Sequence, residues 1–170
     1  FYSQGIHWLS ATGRWGNFRP LNAYQLVFSR FIFPEGKVWI HSHFEKGEAG
    51  RMSLFNGVGD CCTATKEVLA AKTLAENADT FASDDLPEPL VPTLHKDVFA
   101  NRFTGAKTIH SLYNRSQQAV SGPLLCLPAK ADDVHYVDVY RDVEAQVETK
   151  GDMHTISLAL PPEEVAVVAT

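Results

Sequence analysis

The chain has 170 residues, of which 45% are hydrophobic and 21% charged, and carries a formal net charge of -5. That is enough chain for one domain or two small unequal ones, and the balance argues for a folded protein and against disorder. Lys and Arg are not clustered, so no nucleic-acid partner is expected. No apolar run approaches the roughly 18–20 residues a bilayer span needs, so no membrane partner is expected either.

The chain opens on Phe1-Tyr2-Ser3 with no basic stretch leading into an apolar one. This abrupt entry reads as a piece of a longer polypeptide. Residues 1–60 are rich in aromatic side chains and punctuated by glycine. Between Gly36 and Gly47, the β-branched and aromatic run Lys37 to Phe44 predicts a strand. Met52 to Phe55 predicts a second, shorter one that ends at the Asn56-Gly57 turn. Tyr24 to Phe33 is apolar without a period and fits helix or strand.

From Thr63 to about Ser83 the period changes to three and four, with Ala64, Val68, Ala71, Ala75, Ala78 and Ala82 in one stripe widened by Leu74 and Phe81. This predicts one long amphipathic helix with Thr63 as its N-cap. Prolines 87, 89 and 92 then make residues 86–95 an extended connector. After it come seven short alternating runs: Val98 to Phe103, Thr108 to Tyr113, Val120 to Leu127, Val134 to Tyr140, Ala145 to Val147, His154 to Leu160 and Val165 to Val168. Strands at such short spacing predict a sandwich or barrel, not a βαβ sheet. Ile156, Leu158 and Leu160 share one face of their strand, and Tyr136, Asp138 and Tyr140 share another. The odd count of three cysteines, with Cys61 and Cys62 adjacent, makes neither a disulfide framework nor a zinc pattern, and leaves the compartment open. Cys126, between two leucines, is expected to be a small buried hydrophobe.

The order Phe99-to-Phe103, Thr108-to-Asn114, Gly122-to-Leu127, Tyr136-Val-Asp138 and Ile156-to-Pro162 before Val165-Ala-Val167 resembles the all-β domain that follows the (β/α)8 barrel in many glycoside hydrolases. The likeness covers about residues 96–170. Phe31 to Glu35, the strand through Trp39, and Leu54 to Gly59 resemble the last strands of such a barrel. Where related sequences continue with an aromatic and acidic stretch, this chain has Asp60-Cys61-Cys62-Thr63. The resemblance implies an α+β chain: an incomplete barrel end with its last helix over 1–85, a linker over 86–95, and an antiparallel β-sandwich over 96–170.

Barrel active sites lie at the C-terminal ends of the strands. On that reading one strand end holds His41, His43 and Glu45, and the next holds Asn56, Gly57 and Asp60. Glycoside hydrolysis needs two carboxyl groups astride the scissile bond. Glu45, Glu48 and Asp60 are the well-placed acids here, but Glu45 and Glu48 sit in a Glu-Lys-Gly-Glu loop of solvated composition. The catalytic pair is therefore expected on earlier strands outside this chain. His41 and His43 share a strand face and suit a sugar contact; with no third ligand evident, no metal or other cofactor is expected. Asn56 could offer its amide to a sugar hydroxyl, or simply support a turn with positive φ. Trp15, beside a Gly-Arg turn, is a candidate for stacking on a sugar ring, whereas Trp39 belongs to the core. The expected partners are a carbohydrate substrate and the remainder of the catalytic barrel. The competing reading is a non-catalytic carbohydrate-binding or interaction module.

Overall fold

The computed structural model describes residues 26–33, 39–40, 48–60, 68–129 and 134–170. Helix α1 spans Phe28–Ile32. Strands β1, Trp39–Ile40, and β2, Gly59–Asp60, run parallel, with Trp39 beside Gly59 and Ile40 beside Asp60. Parallel neighbours need a crossover, and helix α2, Glu48–Asn56, provides it.

Met52 to Phe55 is thus helical, not the expected strand. Met52, Ser53, Leu54, Phe55 and Asn56 are all buried, and a short segment enclosed on every side shows neither a helical nor a strand period. Helix α2 stops in a Schellman turn: Gly57 has φ +60, and the Val58 N–H reaches back to the Ser53 carbonyl at 3.0 Å. Of the two readings left open for the Asn56-Gly57 turn, one has positive φ; here that φ serves to stop a helix.

The single long helix expected from Thr63 is interrupted. Helix α3 is Val68–Glu76 and helix α4 is Ala78–Phe81, with the break at Asn77, whose Nδ2 donates to the Thr73 carbonyl at 2.7 Å. Residues 63–67 lie outside the described residues. The helices also present a different face. Ala70, Thr73, Asn77, Thr80 and Phe81 are buried, whereas Val68, Ala71, Ala75, Ala78 and Ala82 are exposed. Thr73 and Asn77 turn their polar groups onto backbone carbonyls of their own helix, Leu69 at 2.9 Å and Thr73 respectively, and so enter the core at little cost. A pattern read from hydrophobicity alone misses such residues.

Past Leu86 the extended stretch is stitched to the next strand. Glu88 and Arg102 exchange two backbone hydrogen bonds of 2.8 Å and pair their side chains. Beyond it, strands β3 (Val98–Thr104), β4 (Thr108–Asn114), β6 (Val137–Asp138), β7 (Val143–Glu144) and β10 (Val165–Ala169) form one antiparallel sheet in the order β3-β4-β10-β6-β7. Strands β5 (Val120–Pro128), β8 (Gln146–Lys150) and β9 (Met153–Leu160) form a second, in the order β5-β9-β8. The two sheets enclose a core that includes Ala100, Leu112, Leu125, Ile156, Leu160 and Val168. On its other face the larger sheet packs Phe103, Ile109, Tyr113 and Val167 against Val27, Phe31, Met52, Phe55 and Phe81. The layers are therefore helices, five strands, three strands. With both faces covered, all five residues of β10 are buried.

The expected strands over 98–103, 108–113, 120–127, 154–160 and 165–168 reappear closely, with Ile156, Leu158 and Leu160 on one face toward the inter-sheet core, whereas Val134 to Tyr140 shrinks to β6 and Ala145 to Val147 gives way to β7 and β8 with Ala145 between them. Two side chains differ. Cys126 is exposed, because a register shift between Pro123 and Leu125 buries Leu124 and Leu125 together and turns the next residue outward. Tyr136 and Tyr140 do not share a face: the chain leaves β6 after Asp138, so Tyr136 enters the inter-sheet core and Tyr140 the helix side. Among the described residues no helix is long and apolar enough to cross a membrane.

Candidate functional site

In the parallel unit β1–α2–β2 the carboxyl ends of both strands, Ile40 and Asp60, stand side by side. In sheets of this kind ligands bind at that carboxyl end. Asp60 closes β2 there. His41, His43, Glu45 and Trp15 lie outside the described residues. Asn56 lies at the other end of β2, on the last turn of α2. It is fully buried, its Oδ1 accepts the Val27 N–H at 2.8 Å, and its Nδ2 donates to the Met52 carbonyl at 3.0 Å. Its amide therefore ties α1 to α2.

Around this unit the structure places polar groups that the sequence reading did not single out. Asn101 on β3 and Ser111 on β4 both donate to the Phe55 carbonyl, one of the acceptors left over at the end of α2. Arg30 on α1 is only 4% exposed. Its Nη2 donates to the Phe81 carbonyl at 2.6 Å, its Nε reaches the Gly57 carbonyl at 3.4 Å, and its guanidinium carbon stands 5.6 Å from the centre of the Phe103 ring. Burial lowers its pKa from the usual guanidinium range. One arginine thus gathers the end of α4, the stop of α2 and β3. The available sign was weak: Asn101 and Ser111 are polar residues at inward positions of apolar strands.

Two further polar clusters lie in the sandwich. Asp138 is fully buried; its Oδ1 accepts the N–H groups of Val167 at 2.9 Å and Tyr140 at 3.1 Å, and its Oδ2 pairs with Arg141 Nε. Arg141 Nη1 in turn donates to the Ala159 carbonyl on β9 at 2.8 Å. The Tyr136 hydroxyl meets His154 Nδ1 at 3.0 Å between the sheets. These groups are spent on one another. Asn114, in an Asn-Arg-Ser acceptor sequence, is likewise fully buried, and its Nδ2 lies within hydrogen-bond reach of the Gln118, Leu160 and Pro161 carbonyls. Among the described residues no group of three or more His, Cys, Asp and Glu could hold a metal ion.

No family model matches the chain, and no curated protein matches it. Similar solved structures include a GH27 β-L-arabinopyranosidase from Geobacillus stearothermophilus, at 10% identity over 75% of this chain and 31% of that one, with a TM-score of 0.46. They also include α-galactosidase I from Mortierella vinacea, at 11% identity over 66% of this chain and 30% of that one, with a TM-score of 0.42. A cyclomaltodextrin glucanotransferase with a three-domain ABC distribution is similar at 15% identity over 61% of this chain and 22% of that one, with a TM-score of 0.42. The chain spans 22% to 31% of the length of these three.

Proposed function

We propose that this chain is the C-terminal portion of a carbohydrate-active enzyme of glycoside hydrolase type, with residues 1–85 ending a catalytic barrel and residues 96–170 forming the sandwich that packs on it. The observation that carries the reading is the order of its parts. A parallel strand–helix–strand unit leads through α3 and α4 into a stitched connector, and then into an antiparallel sandwich whose larger sheet seats those same helices. A parallel pair with a helical crossover is how a barrel wall is built, and such strands are buried by neighbours on both sides. The sandwich supports the barrel from behind. Substrate contacts are assigned to Asp60, His41, His43, Glu45 and Trp15, as the resemblance implies. The catalytic carboxylates stand mostly on strands outside this chain.

The test is an assay of the purified 170-residue chain on aryl glycosides. It is expected to be silent, and measurable aryl release by this chain alone would overturn the reading. Glycan binding by this chain that disappears on Trp15→Ala, with no requirement for further polypeptide, would favour a self-contained binding module instead.

A further inference from the structure

Between β7 and β8 the chain passes from the five-stranded sheet to the three-stranded one through Ala145, which is buried. At this crossing a groove of about 270 Å³ opens on the sandwich, lined in part by Ser121, Val143, Glu144, Gln146 and Ser157. We propose that this groove is an accessory binding site for a single neutral sugar ring, separate from the strand ends described above.

The register assembles the polar half of the site. Gln146 on β8 stands opposite Ser157 on β9, and Ser121 on β5 stands opposite Ala159. These side chains point away from the inter-sheet core, on the face opposite to Ile156, Leu158 and Leu160. Two hydroxyls and a carboxamide thus converge from three neighbouring strands. Each can both donate and accept, which suits a ligand whose own groups are hydroxyls. Val143, 46% exposed, and Ala159 supply an apolar wall for the C–H face of a ring. Gly122 has φ +109, a conformation closed to ordinary side chains, and a Cβ built there would meet nothing within 4 Å. The backbone therefore keeps this part of the groove empty and open to a ligand.

Charge narrows the class. No Lys or Arg lines the groove, and its carboxylate, Glu144, meets His135 Nδ1 at 2.7 Å. A phosphate or carboxylate ligand would face Glu144, and the basic groups nearby are already engaged, His135 with Glu144 itself and Arg141 with Asp138 and, through Nη1, with the Ala159 carbonyl at 2.8 Å. A neutral polyol pays no such penalty, and the choice of a sugar among polyols rests on the carbohydrate reading of the chain. With no aromatic platform in the groove, affinity should be weak, with Kd of about 1 mM or higher.

The test is amide-resolved NMR of the full 170-residue chain titrated with glucose and, separately, galactose, with glycerol as the comparison. Saturable shifts centred on the Gly122, Gln146 and Ser157 amides are expected for at least one hexose, with no saturation by glycerol. Ser157→Leu, which fills the groove, should weaken the response at least tenfold. Ser121→Val, which keeps strand propensity, provides a second variant if the first perturbs the fold. Shifts that stay linear, that glycerol reproduces, or that survive in a folded variant would overturn the site. This failure is separable from failure of the hydrolase reading, which shows as aryl glycoside cleavage by the isolated chain.

Discussion

Asn101 and Ser111 stand opposite one another on β3 and β4 and donate to the same acceptor, the Phe55 carbonyl, at 2.8 and 2.7 Å. A helix end that would otherwise bury an unpaired carbonyl is thereby closed by a sheet, and the helical layer is fixed in register on the sandwich. Asn101 also accepts the Leu90 N–H at 2.9 Å through Oδ1, so one side chain joins helix, sheet and connector. Leu90 itself has φ +53, unusual for leucine, and that hydrogen bond helps hold it.

Removing the two donors should therefore be unequal and non-additive. Ser111→Ala leaves the Phe55 carbonyl still bonded to Asn101 and should cost about 1 kcal/mol. Asn101→Ala also strands the Leu90 N–H and should cost about 2–3 kcal/mol. In the double variant the carbonyl has lost both donors, so the loss should exceed the sum of the single ones. Urea denaturation of the four proteins checks this, and strictly additive losses would show that the shared acceptor does not matter.

Gly57 and Gly151 have nearly the same backbone, φ +60 and +62, but different surroundings. A Cβ at Gly57 would lie 2.7 Å from Phe103 Cε1 and 2.8 Å from Phe81 Cδ1, whereas at Gly151 nothing stands within 4 Å. Gly151→Ala should thus show only the backbone cost, about 1 kcal/mol. Gly57→Ala adds displacement of two packed rings and should lose about 1–3 kcal/mol more. For a domain of this size each kcal/mol lowers Tm by roughly 2–4 °C, so calorimetry separates the two. Equal shifts would contradict the packing described around Phe103.

These positions mark the limit of what the sequence makes legible. Strand β9 is readable because it alternates, with His154, Ile156, Leu158 and Leu160 buried and the residues between them nearer the surface. Helix α2 is not, since Met52 to Asn56 is enclosed on all sides and its composition carries no period. Helix α3 is readable as a helix, yet its buried face is not, because Thr73 and Asn77 satisfy themselves on their own backbone. Because the strand expected over Met52 to Phe55 is a helix, Asp60 closes a different strand, β2, and Asn56 lies before it on the last turn of α2.

Alkaline pH should weaken the fold through buried Tyr136 and half-buried Tyr140. Burial raises the Tyr136 pKa from the ordinary 10.0. Burial also raises that of Tyr140; Glu164 and Asp138 push the same way, and Arg51 and Arg141 oppose them. Above pH 10 the unfolded chain releases these protons while the folded chain keeps them, so the unfolded state binds fewer. Stability from this source is fully present below pH 10 and declines as pH rises above it. Denaturant midpoints against pH should bend downward there, and the bend should be shallower in Tyr136→Phe. That variant should also cost about 1–2 kcal/mol at neutral pH by leaving His154 without its hydroxyl partner. An unchanged bend in Tyr136→Phe would remove Tyr136 as a source of the alkaline loss.

Asp138 and Arg141 form the other cross-layer tie, and their variants should rank in a definite order. Asp138→Ala abandons the Val167 and Tyr140 N–H groups and the Arg141 guanidinium together, which should cost about 3–5 kcal/mol. Asp138→Asn keeps an oxygen for the two N–H groups and loses only the charge pairing, so it should fall well short of that. Arg141→Met frees the Ala159 carbonyl on β9 and leaves Asp138 still accepting two backbone donors. Because the Arg141 side chain is 21% exposed, water offsets part of that loss, and about 1–2 kcal/mol is expected. Hydrogen exchange at the Val167 amide gives a local readout that global stability does not. It should accelerate most in Asp138→Ala, because the other two variants leave an acceptor facing that N–H. If Asp138→Asn exchanged as fast as Asp138→Ala, the buried carboxylate would be acting through its charge and not through the two bonds its Oδ1 accepts.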